Sequence, residues 1–420
     1  MSSTGAAVHG TEVPPVVAPP PGNPRFPLFD GLRAIAALSI LTAHAAFASG
    51  AIALAWYGGL ADQLHIGVTI FFLISGFLLY RPFFAARFEG RRPPRVRDYA
   101  RRRLLRIVPA YWLALTLLAI WPGLDGVFSG DWWIFYGFLQ IYSPNTVLQG
   151  MGQAWSLCIE ISFYLLLPVF ALAMARLNGP DRRERMVRVE LGTLAGLAVA
   201  CLATRTVEQA AGGGTIIPYT LLGTFDWFAL GMGLAVLSVW VESLPRVPRP
   251  VELVTRNPGA CWAAALAIFL YLGFGLGLER EYPPRYTDTQ WFLEHLLSGL
   301  ASLFLLLPAV FGGAAGGLPR RVLAWRPLAW LGLISYGIYL WQQEVINFLF
   351  EHKVQDWIPG SGFMVMGSMA FVITVTIAAL SYYLVERPIL RFKDRGRRRP
   401  VNPRTPLPVD PARDAARQAG

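Results

Sequence analysis

Long apolar segments, separated by short polar loops, are the feature that most constrains how this 420-residue chain can fold. Each segment is long enough to cross about 30 Å of hydrocarbon as a helix. Ten of them lie at 32–54, 64–85, 105–121, 155–175, 187–203, 219–241, 260–278, 292–312, 329–350 and 363–384. The sequence therefore predicts an all-α polytopic membrane protein with about ten transmembrane helices.

The composition agrees with this class of protein. The chain is 54% hydrophobic and 15% charged, whereas a soluble domain carries about 25% charged residues. The net charge of +11 comes from basic residues that cluster between the apolar segments, where cytoplasmic loops keep them. We therefore expect a lipid bilayer, and not nucleic acid, as the partner. The cysteines lie inside apolar segments and predict neither a disulfide framework nor a metal site.

Loop charge sets the predicted orientation. Residues 81–106 hold ten arginines, which predicts a cytoplasmic loop and a cytoplasmic N-terminus. The orientation of the later segments depends on a short aromatic stretch at 131–142. The later basic loops lie on the cytoplasmic side only if this stretch does not cross the membrane. We therefore expect both termini in the cytoplasm, 131–142 as an interfacial or re-entrant segment, and multi-pass insertion in the cytoplasmic (inner) membrane.

The predicted domain organisation is simple. Residues 1–25 are rich in Pro, Gly, Ala and Val and predict a disordered tail, and the Arg- and Pro-rich residues 393–420 predict another. Between them, 26–392 form one transmembrane domain without a visible internal repeat or an appended soluble domain. Any chemistry is expected within the membrane region.

Arg33 and His44 share the first apolar helix, eleven residues or ~16 Å apart along its axis. Ionisable residues inside a membrane helix are costly unless something uses them. A structural explanation stays open, in which the arginine snorkels to lipid phosphate and a carbonyl satisfies the histidine.

Two further spans carry charge near their ends. Arg103 and Arg106 stand at the inner end of the third span and could clamp phosphates through forked hydrogen bonds, although cytoplasmic anchoring alone also explains them. Glu160 is predicted at the depth of His44, where a His–Glu pair would orient the imidazole. The alternative is a structural pair between two helices.

A late segment has a polar stripe. Ser335, Tyr336, Tyr339 and Gln342 have helical spacing, and helix packing or an aromatic belt would also explain them. Mid-span Ser75 and Gly76 predict close helix packing. The remaining histidines, His9, His65, His295 and His352, are predicted to be peripheral or isolated, and the sequence has no nucleotide-binding glycine loop, zinc spacing or nucleophile elbow.

Six motifs follow one another along the chain: FDGLR…H (29–44), FFLISGF (71–77), RRLLRIVPAYW (102–112), WSLCIEISFYLLLP (155–168), SYGIYLW (335–341) and VERP (385–388). Together, and in this order, they resemble the acyltransferase-3 family of integral-membrane enzymes that O-acylate sugars and cell-envelope polymers. The family often has a histidine after LW, where this chain has Gln342, which can hydrogen-bond a sugar but cannot relay protons as histidine does.

The resemblance implies an acyl-CoA donor on the cytoplasmic side, acetyl-CoA in the first instance, and a hydroxyl acceptor on a carbohydrate, glycan or glycosylated metabolite. It implies no permanently bound cofactor and no metal. His44 would be the catalytic base with Glu160 as an essential acid nearby, and Arg33, Arg103 and Arg106 would bind the donor. The predicted substrate contacts are Trp155, Ser156, Tyr164, Tyr336, Tyr339 and Gln342.

Two other functions are compatible with the same residues. A transporter or flippase for an acylated or lipid-linked product would line its path with these polar side chains. A sensor or scaffold that has lost activity is suggested by Gln342 alone. The depth of Arg33 and His44 favours the acyltransferase, because phosphates held at the arginine would leave the acyl end of the donor near the histidine.

Overall fold

The computed structural model describes residues 26–177, 183–280, 286–312 and 316–394, and this part of the chain is helical with no strand. The prediction of an all-α protein is therefore confirmed. The predicted tails 1–25 and 393–420 lie outside the described residues, except that 393 and 394 end the last helical turn.

The α-helices follow one another in the order α1 (Leu28–Ala48), α2 (Ala51–Leu54), α3 (Gly58–Gln63), α4 (Gly67–Phe88), α5 (Val96–Leu118), α6 (Trp132–Tyr136), α7 (Trp155–Leu177), α8 (Arg183–Ala210), α9 (Phe225–Glu242), α10 (Arg249–Arg256), α11 (Pro258–Leu270), α12 (Asp288–Val310), α13 (Leu318–Leu323), α14 (Arg326–Leu333), α15 (Ser335–Glu351), α16 (Gly362–Ser381) and α17 (Arg387–Leu390). Segments of π-helix extend three of them, at Ala119–Gly123, Tyr271–Gly275 and Tyr382–Glu386. Turns of 3-10 helix fill several of the connections.

Nine continuous helical stretches in the described part of the chain are long and apolar enough to cross a membrane. They are Leu28–Ala48, Gly58–Phe88, Val96–Gly123, Gly152–Leu177, Arg183–Ala210, Phe225–Glu242, Pro258–Gly275, Asp288–Val310 and Gly362–Leu390. Nine of the ten predicted segments correspond to these stretches, which confirms a polytopic membrane protein.

The remaining predicted segment, 329–350, is two helices and not one. The chain breaks between α14 and α15 at Ile334. The 17 residues of α15 span ~25 Å at about 1.5 Å per residue, and the helix carries Gln342, Gln343 and Glu344. It is therefore slightly short and polar for a spanning helix, and apolar content alone could not reveal the break.

The aromatic stretch at 131–142 forms the short helix α6 and a 3-10 turn, Gln140–Tyr142. It lies against α5, where the Tyr111 hydroxyl donates to the Phe135 carbonyl (2.9 Å) and Trp112 Nε1 donates to the Tyr136 carbonyl (3.0 Å). Five residues of α-helix cannot span hydrocarbon. The prediction that this stretch does not cross is confirmed.

Helix α1 lies inside the bundle and packs against α4, α14, α15 and α16. Glycine permits its closest contacts: a Cβ at Gly67 of α4 would overlap the Ala36 carbonyl, and one at Gly332 of α14 would overlap the Asp30 carbonyl. Close approach at small residues drives helix association where lipid and side chains are equally apolar. The position of α14 on α1 therefore depends on Gly332.

Helices α4 and α9 form the most extensive pair and also meet through glycine. A Cβ at Gly76 would overlap the Phe228 carbonyl, and one at Gly231 would overlap the Leu73 carbonyl. The predicted close packing at Gly76 is confirmed. The close contact with α9 fixes the position of α4, the helix that carries Ser75.

A buried charge cluster joins α8 to α4. Glu190 has no exposed surface, pairs with Arg87 and accepts a hydrogen bond from the Tyr80 hydroxyl. On the same end of α4, Arg81 pairs with Glu242 of α9 (2.6 Å). A carboxylate inside an apolar bundle is tolerated only with such partners, so these pairs fix how α8 and α9 pack against α4.

We expect the Gly332→Ala substitution to destabilise the fold, because the added methyl group would push α14 away from α1. Overpacking of this kind costs about 1–3 kcal/mol. The measurement is the apparent melting temperature of the purified protein in detergent.

The matched control is Gly196→Ala in the middle of α8, where an added Cβ would meet no atom within 4 Å and alanine favours the helix. Equal melting temperatures for the two variants would contradict the importance of the α1–α14 contact.

Candidate active site

A cavity of about 340 Å³ opens among α1, α4, α5, α7, α14, α15 and the last helical segments. It lies toward the end of the bundle at which α1 and α5 begin, the end predicted to face the cytoplasm. Its charged lining residues come from four separate stretches of the sequence: Asp30, Arg33, Arg102, Arg103, Arg106, Glu160 and Glu386. Three of the predicted site arginines and Glu160 are thus brought together.

The arginines differ in their partners. Arg33 is held by Asp30 one turn earlier (2.7 Å). Arg103 and Arg106 make no side-chain hydrogen bond or ion pair with any residue that the structure describes, and Arg103 Nε is buried. Guanidinium groups in this state are suited to phosphate oxygens, which they bind through two parallel charge-assisted hydrogen bonds.

Glu160 of α7 lines the cavity and accepts a hydrogen bond from Ser75 of α4. It lies close enough to Arg103 and Tyr164 to interact with both. The predicted pair of Glu160 with His44 is not formed. Equal depth on two helices was insufficient for contact, because α7 directs this side chain toward α4 and α5 instead of α1.

His44 has a different partner. Its Nδ1 lies 3.0 Å from Oε1 and 2.8 Å from Nε2 of Gln342, which is fully buried on α15. Neither residue is among the described residues that line the cavity. The position where the family often has histidine therefore supplies the hydrogen bond that orients the imidazole.

The predicted substrate contacts divide into three groups. Ser156, Tyr164, Tyr336 and Tyr339 line the cavity, and the Tyr336 hydroxyl donates to the Ile107 carbonyl (2.8 Å). Gln342 bonds to His44. Trp155 does not reach the cavity and packs edge-on against Tyr219, with ring centroids 5.4 Å apart.

Some cavity residues were not predicted as functional. Asp30 could have been found, because an acid three residues before Arg33 on a helix forms an ion pair. Glu386 lies in the VERP motif, which the sequence interpretation left without a role, and Ser75 was assigned to packing alone. Arg102 was counted only among the anchoring arginines.

Two histidines expected to be peripheral or isolated are paired. His295 is 1% exposed, with Nε2 2.9 and 3.0 Å from the carboxylate oxygens of Asp226. His65 Nε2 lies 2.8 Å from Glu294 Oε1. The expectation was wrong for His295, because the acid that pairs with it is distant in sequence. His65 is exposed, as a peripheral residue is, but it is not isolated. His352 is exposed, as expected, and His9 lies outside the described residues.

Comparison with known proteins identifies relatives over most of the chain. The Bacillus subtilis protein YrhL, provisionally named a peptidoglycan O-acetyltransferase, is 28% identical over 384 residues, which cover 87% of this chain and 55% of YrhL. The peptidoglycan O-acetyltransferase OatA of Listeria monocytogenes is 25% identical over 378 residues, which cover 86% of this chain and 55% of OatA. BcsY of Komagataeibacter xylinus, provisionally named a membrane-bound transacylase, is 28% identical over 393 residues, which cover 87% of this chain and 83% of BcsY.

The chain thus spans about half the length of YrhL and OatA. No solved structure matches it. The model of the acyltransferase domain matches residues 27–383, a region that includes the cavity up to Tyr382 together with His44 and Gln342. Because that match extends over most of the sequence, the chain belongs to the acyltransferase-3 family.

Proposed function

We propose that this protein is a membrane-embedded O-acyltransferase that moves an acyl group, acetyl in the first instance, from acyl-CoA to a hydroxyl of a carbohydrate or polyol. The observation that carries the proposal is the cavity itself. It has arginines at one end, and its other end lies one helical turn along α15 from the residue that holds His44.

The donor side of the proposal rests on charge. Arg103 and Arg106 lie one turn apart on one helix, their guanidinium groups are without a hydrogen bond or ion pair to any described residue, and they would hold phosphate oxygens of CoA. Arg33 and His44 are ~16 Å apart along α1, so a donor anchored at this end would direct its thioester toward the histidine. Donor entry from the cytoplasm follows from the predicted orientation.

His44 would act as the general base. If Nδ1–H donates to Gln342 Oε1, Nε2 keeps the lone pair that accepts the proton of the acceptor hydroxyl. The oxygen then attacks the thioester carbonyl, and the tetrahedral intermediate breaks the C–S bond. The departing thiolate takes the proton from His44, so the products are the ester and free CoA thiol, and the base is regenerated.

Glu160 would position the donor and would not orient the base. Its carboxylate accepts from Ser75 and interacts with Arg103. Holding that arginine in the cavity keeps its remaining N–H groups directed at the donor. This role replaces the triad-like role that equal depth suggested.

The acceptor class is proposed from the relatives. OatA is named for peptidoglycan, a carbohydrate polymer outside the cytoplasmic membrane. A hydroxyl on such a glycan would reach His44 from the outer face, with the protein in the cytoplasmic membrane and both termini inside the cell.

The direct test uses the full-length protein in lipid nanodiscs with acetyl-CoA and muropeptides as the acceptor probe. We expect the His44→Ala substitution to lower acetyl transfer by about 10²–10⁴-fold, the usual contribution of a general base. The measurements are the mass of the muropeptide product and the release of free thiol.

The matched control is His352→Ala, which removes an exposed histidine bonded to the Phe348 carbonyl (2.8 Å). Undiminished transfer by the His44 variant would refute its assignment as the base. Movement of acetyl-CoA or muropeptide across the bilayer without any acetylated product would favour the transporter.

We expect the Arg106→Gln substitution to raise the KM for acetyl-CoA by about ten- to a hundredfold, because a charge-assisted hydrogen bond contributes about 1.5–3 kcal/mol. The KM for acetyl-pantetheine, which lacks the nucleotide phosphates, should change little. Steady-state kinetics with both donors provide the measurement.

The control for this variant is Arg256→Gln on α10, where the arginine is exposed and pairs with Glu252 outside the cavity. Equal losses with both donors would show that Arg106 does not bind the nucleotide part.

Substitutions of Glu160 and of Gln342 should affect different kinetic constants. We expect Glu160→Gln to raise the KM for acetyl-CoA while leaving the midpoint of the pH profile of kcat at its wild-type value, because Glu160 does not contact His44. Gln342→Leu should lower kcat at saturating donor, because the imidazole loses its hydrogen bond. A displaced kcat midpoint in Glu160→Gln would restore the His–Glu mechanism.

A further inference from the structure

The end of the cavity away from the arginines is closed by two hydroxyl-bearing side chains from different helices. Ser156 Oγ of α7 lies 2.6 Å from the Tyr339 hydroxyl of α15, and that hydroxyl also donates to the Gln153 carbonyl. A carbonyl oxygen can only accept, so the single proton of Tyr339 goes to Gln153 and the Ser156 hydroxyl donates to Tyr339. Both hydroxyl protons are thus already committed.

The segment before α7 fixes this arrangement from a second direction. Gln153 Nε2 donates to the Leu340 carbonyl of α15 (2.9 Å). Two hydrogen bonds therefore hold Tyr339 against the start of α7. One is made by its own hydroxyl, and the other is made by the backbone of the next residue on α15. Because its hydroxyl is occupied, Tyr339 presents to the cavity its ring and not a polar group.

An aromatic side chain of α4 completes the wall. Phe71 also lines the cavity, and its ring meets the Tyr339 ring edge-on with centroids 6.4 Å apart. On the far side, Gln342 follows Tyr339 by three residues, ~4.5 Å along α15, and bonds to His44. The wall formed by Phe71, Ser156 and Tyr339 thus stands between the arginine-lined cavity and the layer that contains the histidine.

We propose that Tyr339, supported by Phe71, limits the length of the acyl group that the enzyme transfers. This inference rests on the proposed function. A donor with its phosphates on the arginines must bring its thioester carbonyl to the edge of the wall nearest His44. The carbon atoms beyond that carbonyl then meet a fixed aromatic ring, so an acetyl methyl group fits and longer alkyl chains collide with it.

Tyr336 offers a matched comparison on the same helix. Like Tyr339 it is a tyrosine that lines the cavity, and it lies less than one helical turn before Tyr339. Its hydroxyl donates to the Ile107 carbonyl of α5. It stands nearer the arginines and flanks the carrier part of the donor. Removal of this ring should therefore leave the acyl-length preference unchanged, whatever it does to the rate.

The experiment compares acetyl-, butyryl- and hexanoyl-CoA with full-length protein in nanodiscs and muropeptides as acceptor. Wild type should favour acetyl over butyryl by at least about tenfold in kcat/KM, since pocket discrimination per methylene is about 10–200-fold. Tyr339→Ala should reduce this ratio by about tenfold or more and yield hexanoyl product. Tyr339→Phe, which keeps the ring, should retain the wild-type ratio.

Several outcomes would overturn the inference: efficient hexanoyl transfer by wild type, an unchanged ratio in Tyr339→Ala, or a ratio altered equally by Tyr336→Ala. If Tyr339→Ala is inactive, Phe71→Ala decides, because it opens the same wall from α4 and should also admit butyryl. Absence of any acyl transfer by wild type would instead refute the proposed function.

Discussion

The cost of charge inside an apolar helix bundle governs this structure. Each buried acid needs a partner, and Glu190 finds Arg87 while Asp226 finds His295. These pairs hold helices in register where the hydrophobic effect gives no preference, because lipid is as apolar as the helix surfaces. Arg103 and Arg106 are the contrast: they face a cavity and have no partner among the described residues, so their charges are available to a ligand.

The number and class of helices followed from the length of each apolar segment, which is a local property. The break at Ile334 is not local. It arises where Gly332 brings α14 onto the backbone of Asp30, and the chain then turns to begin α15 in a different direction. The sequence shows which residues are small. The position of the neighbouring helix determines at which of these positions a larger side chain would not fit.

The site was predictable to the same degree. The spacing of Arg33 and His44 and the presence of Glu160 are local, and all six sequence motifs contribute residues to one cavity. The partner of each side chain was not predictable, because depth along a helix fixes only one coordinate. Glu160 and His44 were expected at similar depth, yet rotation about the helix axes gives one of them Ser75 and the other Gln342.

Helix α15 contributes residues both to the cavity and to the surroundings of His44. Its first turns present Tyr336 and Tyr339 to the cavity, and its next turn presents Gln342 to His44. Because the break at Ile334 separates α15 from α14, the contact of Gly332 with α1 can stay tight while α15 adopts the direction that the site requires. In a continuous helix over 329–350, the contact with α1 and the direction of the residues that form the site would depend on each other. A shift of that helix would then displace both the wall and the partner of His44.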